Sequence, residues 1–171
     1  PIHAFGSDEQ KEKWLSDLGS GKKIGCFGLT EPNFGSNPSG MVTNCKKDGN
    51  DWIINGNKMW ITNGSIADVA VVWAKDENDI IRGFLIEKDT EGFTSSDLHG
   101  KFSLRASITS ELSMSDVRVP DSSRLPNIEG LKGPLSCLTQ ARYGIAWGMV
   151  GASVDCYNTA LSYACLLYTS E

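Results

Sequence analysis

The sequence predicts a mixed α and β fold, with a central antiparallel β-barrel or sandwich domain flanked by parts of two helical domains. Three observations predict it. Residues 7–18 carry a capped amphipathic helix, residues 23–126 alternate short apolar runs with Gly, Asn and Asp turns, and residues beyond Pro134 repeat apolar and small side chains at spacings of three and four. The divisions are 1–22 (end of an N-terminal helical domain), 23–128 (middle β domain) and 129–171 (start of a C-terminal helical domain, with 165–171 atypical).

In the first division, Ser7-Asp8-Glu9-Gln10 fits a capping box with Ser7 as N-cap. Trp14, Leu15 and Leu18 mark one apolar face, and Gly19 and Gly21 stop the run. A single helix of this size needs a surface to pack against, so the segment reads as the tail of a helical domain.

The middle division opens with Ile24-Gly25-Cys26 and runs into Phe27-Gly28-Leu29-Thr30-Glu31-Pro32-Asn33-Phe34-Gly35-Ser36. Pro32 breaks the strand, Gly35 lets the backbone approach another group, and Thr30 and Ser36 place hydroxyls at either side. Successive backbone N–H groups in such a turn can form an anion-binding concavity; an ordinary bulged loop is the competing reading. Lys47-Asp48-Gly49-Asn50 is a hairpin turn between Met41–Lys47 and Asp51–Asn55. Asn55-Gly56 and Asn63-Gly64 bound Lys58-Met59-Trp60-Ile61-Thr62 as a further strand. Val69–Trp73 reads as a strand buried on both faces, followed by strands at Arg82–Glu87 and Thr109–Val119. Asp121–Gly133 reads as a linker.

After Pro134, Leu138 and Ile145 with Ala141, Gly144, Gly148 and Gly151 form a helical stripe that lets another helix pack closely. The apolar stretch Tyr143–Val154 is too short for the roughly 20 residues of a membrane span.

Composition narrows the function. A formal net charge of −5 without a basic patch argues against nucleic-acid binding. Five scattered cysteines, two histidines (His3 and His99) and no CxxC spacing argue against a zinc site and for a reducing compartment. The chain starts at Pro1 with no leader pattern and reads as an internal fragment. Trp60 and Thr62 admit two readings: a core aromatic beside an ordinary strand residue, or an indole covering a flat ring system with a hydroxyl on a ring nitrogen. Lys101–Thr109, alone, reads as structural.

Four blocks together resemble the acyl-CoA dehydrogenase family: Gly25–Pro32, Lys58-x-Trp60-Ile61-Thr62-Asn63, Gly100–Ser107 and Ala141-Arg142-Tyr143-Gly144-Ile145-Ala146-Trp147-Gly148. The last two, with Arg82-Gly83-Phe84-Leu85, are similar to its glutaryl-CoA branch, and the likeness runs from Pro1 to Ala164. It implies FAD as cofactor, with Phe27, Gly28, Leu29, Thr30, Gly35, Ser36, Trp60, Ile61 and Thr62 lining it. The Thr62 hydroxyl would reach flavin N5 and Thr30 the pyrimidine end. Ser36, Leu135, Ser136, Leu138, Thr139 and Arg142 would contact an acyl-CoA substrate, and no metal is implied.

The implied activity is oxidative decarboxylation of glutaryl-CoA to crotonyl-CoA and carbon dioxide, with electrons passed to an electron-transfer flavoprotein. That chemistry belongs to lysine and tryptophan degradation, and the wider family to fatty acid metabolism. Alternatives are a dehydrogenase of another acyl-CoA and a non-catalytic β binding module. The family's base, a Glu, falls beyond residue 171, so no catalytic residue is assigned and this chain alone is expected to be inactive. The likeness further implies a homotetramer, in the mitochondrial matrix of a eukaryote or the cytoplasm of a bacterium. Asn37 and Thr139 depart from the family pattern, as do residues 165–171.

Overall fold

The structure is a computed structural model that describes residues 1–167. It forms two compact units, Pro1–Pro134 and a second that begins at Leu135.

The first unit starts with a one-turn helix α1 (Ile2–Phe5) and the helix α2 (Asp8–Gly19). Ser7 caps α2 as the sequence predicts: its hydroxyl accepts from the Gln10 N–H at 3.2 Å, and Gln10 Oε1 accepts from the Ser7 N–H at 3.0 Å. Gln10 does more than cap. Its Nε2 donates to the carbonyls of Ser122 and Arg124, tying the helix to the far end of the β segment. Trp14, on the same helix, is buried.

Seven strands follow: β1 (Gly25–Gly28), β2 (Asn44–Asp48), β3 (Asp51–Thr62), β4 (Val69–Lys75), β5 (Ile81–Glu87), β6 (Phe93–Asp97) and β7 (Thr109–Pro120). They make one curled sheet in the order β1-β4-β2-β3-β7-β6, with β5 added on β4. Pairing is antiparallel except that β1 and the start of β2 lie parallel to β4. The core is apolar and continuous, built from Ile54, Val72, Phe84, Ile86, Leu112 and Val117 among others. The first six residues of β4 are all buried, in line with its unbroken apolar run.

Three features differ from the sequence reading. Asn55-Gly56 does not end a strand: β3 continues through it with a register shift against β7. Gly56 sits at φ +142°, and a Cβ there would meet Thr43 Oγ1 at 2.5 Å and Thr43 Cα at 2.7 Å, so the crossing chain excludes a side chain. Gly56→Ala is therefore expected to lower the thermal midpoint by several degrees, as about 1–3 kcal/mol of overpacking does; a scanning calorimetry trace that overlays wild type would contradict the crossing. Strand β6 is polar and mostly exposed, and its alternation is too weak to read. The linker is only partly one: it holds a 3-10 turn at Asp121–Ser123, and Leu125 within it is fully buried.

The second unit is the rest of helix α3 (Lys132–Leu166). From Thr139 to Leu166 each of its residues is exposed, including Tyr143, Trp147, Met149 and Tyr157. Among the described residues no helix is long and apolar enough to cross a membrane, and no cluster of His, Cys, Asp or Glu could hold a metal ion. The atypical segment 165–171 falls mostly outside the described residues.

Candidate functional site

Two segments from distant parts of the sequence meet on the sheet. The Thr30 carbonyl accepts from the Met59 N–H at 2.9 Å, which seats the turn after β1 beside the middle of β3. Glu31 and Phe34 close the turn by exchanging backbone hydrogen bonds.

At that point β3 is distorted. Lys58 pairs with Leu112 and Ile61 with Ser110, so three steps along β3 face two along β7. The surplus residue is absorbed near Trp60, which takes φ +63° and stands 58% exposed. A bulky aromatic in the left-handed region costs about 1–3 kcal/mol and persists only where its surroundings enforce it. Thr62, two residues on, is exposed, while Ile61 between them is buried. Trp60 and Thr62 therefore present an indole and a hydroxyl outward from a rigid strand.

An apolar cavity of about 430 Å³ adjoins Thr62. It is lined by Leu15, Leu18, Cys26, Phe27 and Val71 among others, so α2 supplies part of its wall. The cavity of about 460 Å³ beside Gln10, Trp14 and Arg124 shares no residue with the Phe27–Ser36 turn.

The predicted cofactor residues separate by what they can offer. Trp60 and Thr62 are exposed, as are Gly35 and Ser36, and Phe27 and Thr30 are half-buried. Gly28, Leu29 and Ile61 are buried, and their side positions belong to the core. A Cβ on Gly28 would lie 3.3 Å from Lys58 Cγ and 3.4 Å from Leu112 and Val72, so its glycine has a packing reason. At Gly35 a Cβ would meet nothing within 4 Å. Of the predicted substrate residues, Ser36 is in the first unit and the rest are on α3. There Leu135, Leu138, Thr139 and Arg142 follow helical spacing along one face, and Ser136 lies off it. The Thr139 hydroxyl donates to the Leu135 carbonyl at 3.1 Å.

One arrangement escaped the sequence reading. Lys58 and Glu31 form an ion pair at 2.9 Å with side chains 0% and 1% exposed. Lys58 Nζ also donates to the Leu29 carbonyl at 3.2 Å. Glu31 Oε2 accepts from the Val42 N–H at 2.7 Å, and its Oε1 from the Thr43 N–H at 3.0 Å. Burial draws the Lys58 ammonium down to about 8, against the hydrogen bond and charge of Glu31. Burial pushes the Glu31 carboxyl up, but the hydrogen bonds from Thr43, Val42 and Lys58 and the Lys58 charge outweigh it and hold the group below its ordinary 4.5. A carboxylate lowered in the fold contributes stability above its ordinary value and loses it as pH falls through the lowered one. Acidification below pH 4.5 should therefore shed this contribution. Denaturant midpoints measured from pH 7 to pH 3 are expected to fall more steeply for wild type than for Lys58→Met/Glu31→Gln; parallel curves would contradict it.

Comparison with known proteins bears on the family and the fold. Residues 26–117 match the model of the acyl-CoA dehydrogenase middle domain. A probable acyl-CoA dehydrogenase of Bacillus subtilis, YngJ, is 39% identical over 170 residues, 96% of this chain and 45% of the relative. The human mitochondrial short-chain specific acyl-CoA dehydrogenase is 38% identical over 170 residues, 96% of this chain and 41% of the relative. A crystal structure of a glutaryl-CoA dehydrogenase from Mycobacterium smegmatis in complex with FADH2 is 55% identical, with a TM-score of 0.97 over 99% of this chain and 44% of that one. The chain thus spans less than half the length of the relatives it matches. A middle-domain match over more than half of the residues, on a sheet that brings the Phe27–Ser36 turn to Trp60 and Thr62, shows that the chain belongs to the acyl-CoA dehydrogenase family.

Proposed function

We propose that the protein to which this chain belongs is an FAD-dependent acyl-CoA dehydrogenase that oxidatively decarboxylates glutaryl-CoA, releasing crotonyl-CoA and carbon dioxide. The observation that carries the flavin reading is Trp60: an exposed aromatic held at φ +63° on a strand, with the exposed Thr62 hydroxyl two residues away and Thr30 fixed beside it. An isoalloxazine ring fits such a surface, since it needs a flat apolar cover and uncharged donors at its polar edge. FAD, when bound, supplies the acceptor for the hydride removed from the substrate.

The chain's own residues bind and orient. Trp60 would cover one face of the ring, and the Thr62 hydroxyl would donate to the acceptor nitrogen. Thr30 serves the pyrimidine end, with Phe27, Gly35 and Ser36 completing the wall. Preorganised neutral donors stabilise charge developing on a ring without adding a group that titrates. Ser36 is assigned to the thioester arm of CoA. Separately, Leu135, Ser136, Leu138, Thr139 and Arg142 on α3 are assigned to CoA contacts. The base that removes the α-proton is assigned to a Glu beyond residue 171. The reduced protein passes its electrons to an electron-transfer flavoprotein and works as a homotetramer.

The glutaryl assignment is supported by the Gly100–Ser107 and Ala141–Gly148 blocks and by the 55% identity to the mycobacterial glutaryl-CoA dehydrogenase. In the full-length protein, glutaryl-CoA is expected to be turned over with release of labelled carbon dioxide and to be preferred over butyryl-CoA. Faster butyryl-CoA oxidation without labelled carbon dioxide would move the protein to a straight-chain branch. Thr62→Val should keep bound FAD and slow flavin reduction in stopped flow by about 10²-fold, the effect of losing one such donor. Reduction at the wild-type rate would remove Thr62 from the site.

A further inference from the structure

We propose that the buried Lys58–Glu31 pair is the positioning device of the flavin wall, fixing the Thr30 turn and the Trp60 bulge at one spacing; this rests on the flavin reading above. Neither side chain can reach a ligand, since both are closed to solvent. They act through what they hold. Lys58 takes the Leu29 carbonyl and Glu31, the two neighbours of Thr30, while Glu31 takes the amides of Val42 and Thr43. Thr30 is thus clamped from both sides, and the Met59 N–H on its carbonyl adds the next residue of β3.

The same lysine sets the start of the bulge. The register slip begins at Lys58 and ends at the buried Ile61, so pinning Lys58 forces the extra residue outward at Trp60. The Lys58 stem also lies against Gly28, 3.3 Å from where a Cβ would stand, so the end of β1 is held by the same side chain. An apolar side chain of equal volume could fill this space but has no directed donor for the Leu29 carbonyl. A buried ion pair adds little net stability relative to an apolar filling, so the role proposed for this one is geometric.

The test uses the full-length protein and free FAD. Lys58→Met/Glu31→Gln removes both charges together. Two quantities are read: the thermal midpoint of the apoprotein, and FAD affinity by titration of tryptophan fluorescence, with the visible spectrum of the bound flavin. Ile86→Val, a core change remote in sequence from the turn, serves as the stability control. The expected result is FAD binding weaker by about tenfold or more with an altered flavin spectrum, while the control binds as wild type. Wild-type affinity and spectrum in a folded double variant would overturn the positioning role. If the double variant does not fold, Glu31→Asp, which keeps the charge and shortens its reach by one methylene, is measured in the same way and judged by the same outcomes. Failure of wild type itself to bind FAD would instead overturn the flavin reading.

Discussion

Lys58→Met is expected to destabilise the protein by about 3–5 kcal/mol, the cost of leaving one partner of a buried ion pair charged and alone. The size follows from where Glu31 sits. Its carboxylate is 1% exposed and still bound to the Val42 and Thr43 amides, so water cannot replace the lost ammonium. The result should contrast with Arg118→Met. Arg118 pairs with Asp48 and Asp51 on the surface, where solvent screens the charges, so its loss should be far smaller. Urea unfolding of both variants checks the pair. Equal, small losses would mean that Glu31 takes up a proton and carries no charge in the fold. Lys58→Met/Glu31→Gln should recover a large part of the loss, because no uncompensated charge remains.

Expressed by itself, the 171-residue chain is expected to be colourless, association-prone and inactive towards acyl-CoA. Helix α3 exposes Tyr143, Ile145, Trp147, Met149, Val150, Val154, Tyr157 and Leu161 to water. Each such side chain forfeits about 1.5–3 kcal/mol relative to burial, and so many exposed apolar groups favour self-association. Trp60, 58% exposed, covers one side of any ring stacked on it, and every further 1.4 kcal/mol of missing contact is about tenfold in affinity. Gel filtration with absorbance at flavin wavelengths decides the matter. A monomer that elutes with stoichiometric FAD would show that the first unit holds the cofactor unaided.

Much of this was legible in the residues. The Ser7 cap, the hairpin at Asp48-Gly49, the buried run of β4 and the strand at Thr109–Val119 each follow from a local rule, and each is present. What was hidden depends on partners distant in sequence. The bulge at Trp60 exists because Lys58 and Ile61 must both face inward against β7, and no short-range pattern states that register. Gly56 looked like a turn because the chain that crowds it, at Thr43, is not its sequence neighbour. The Lys58–Glu31 pair left a trace that went unread. Lys58 holds the inward parity of Trp52 and Ile54 on β3, where a lysine is tolerated only with a buried counter-charge. Strand β6 left none, since its Thr and Ser residues resemble any polar loop.

The order of the strands also governs when the sheet can be completed as the chain leaves the ribosome. The hairpins β2–β3 and β4–β5 pair residues close in sequence and can close early. The other edge of β3 pairs with β7, Asp51 opposite Pro120, so its hydrogen bonds stay open until the whole intervening chain has emerged. Synthesis at about 5–20 residues per second makes that an interval of several seconds. Throughout it Ile54 and Ile61 lack Leu112 and Val117, with which they share the core. The nascent chain therefore passes through a stage with one edge of a central strand open and a half-built core, the state that chaperones bind, and a pause in translation between β5 and β7 would lengthen it.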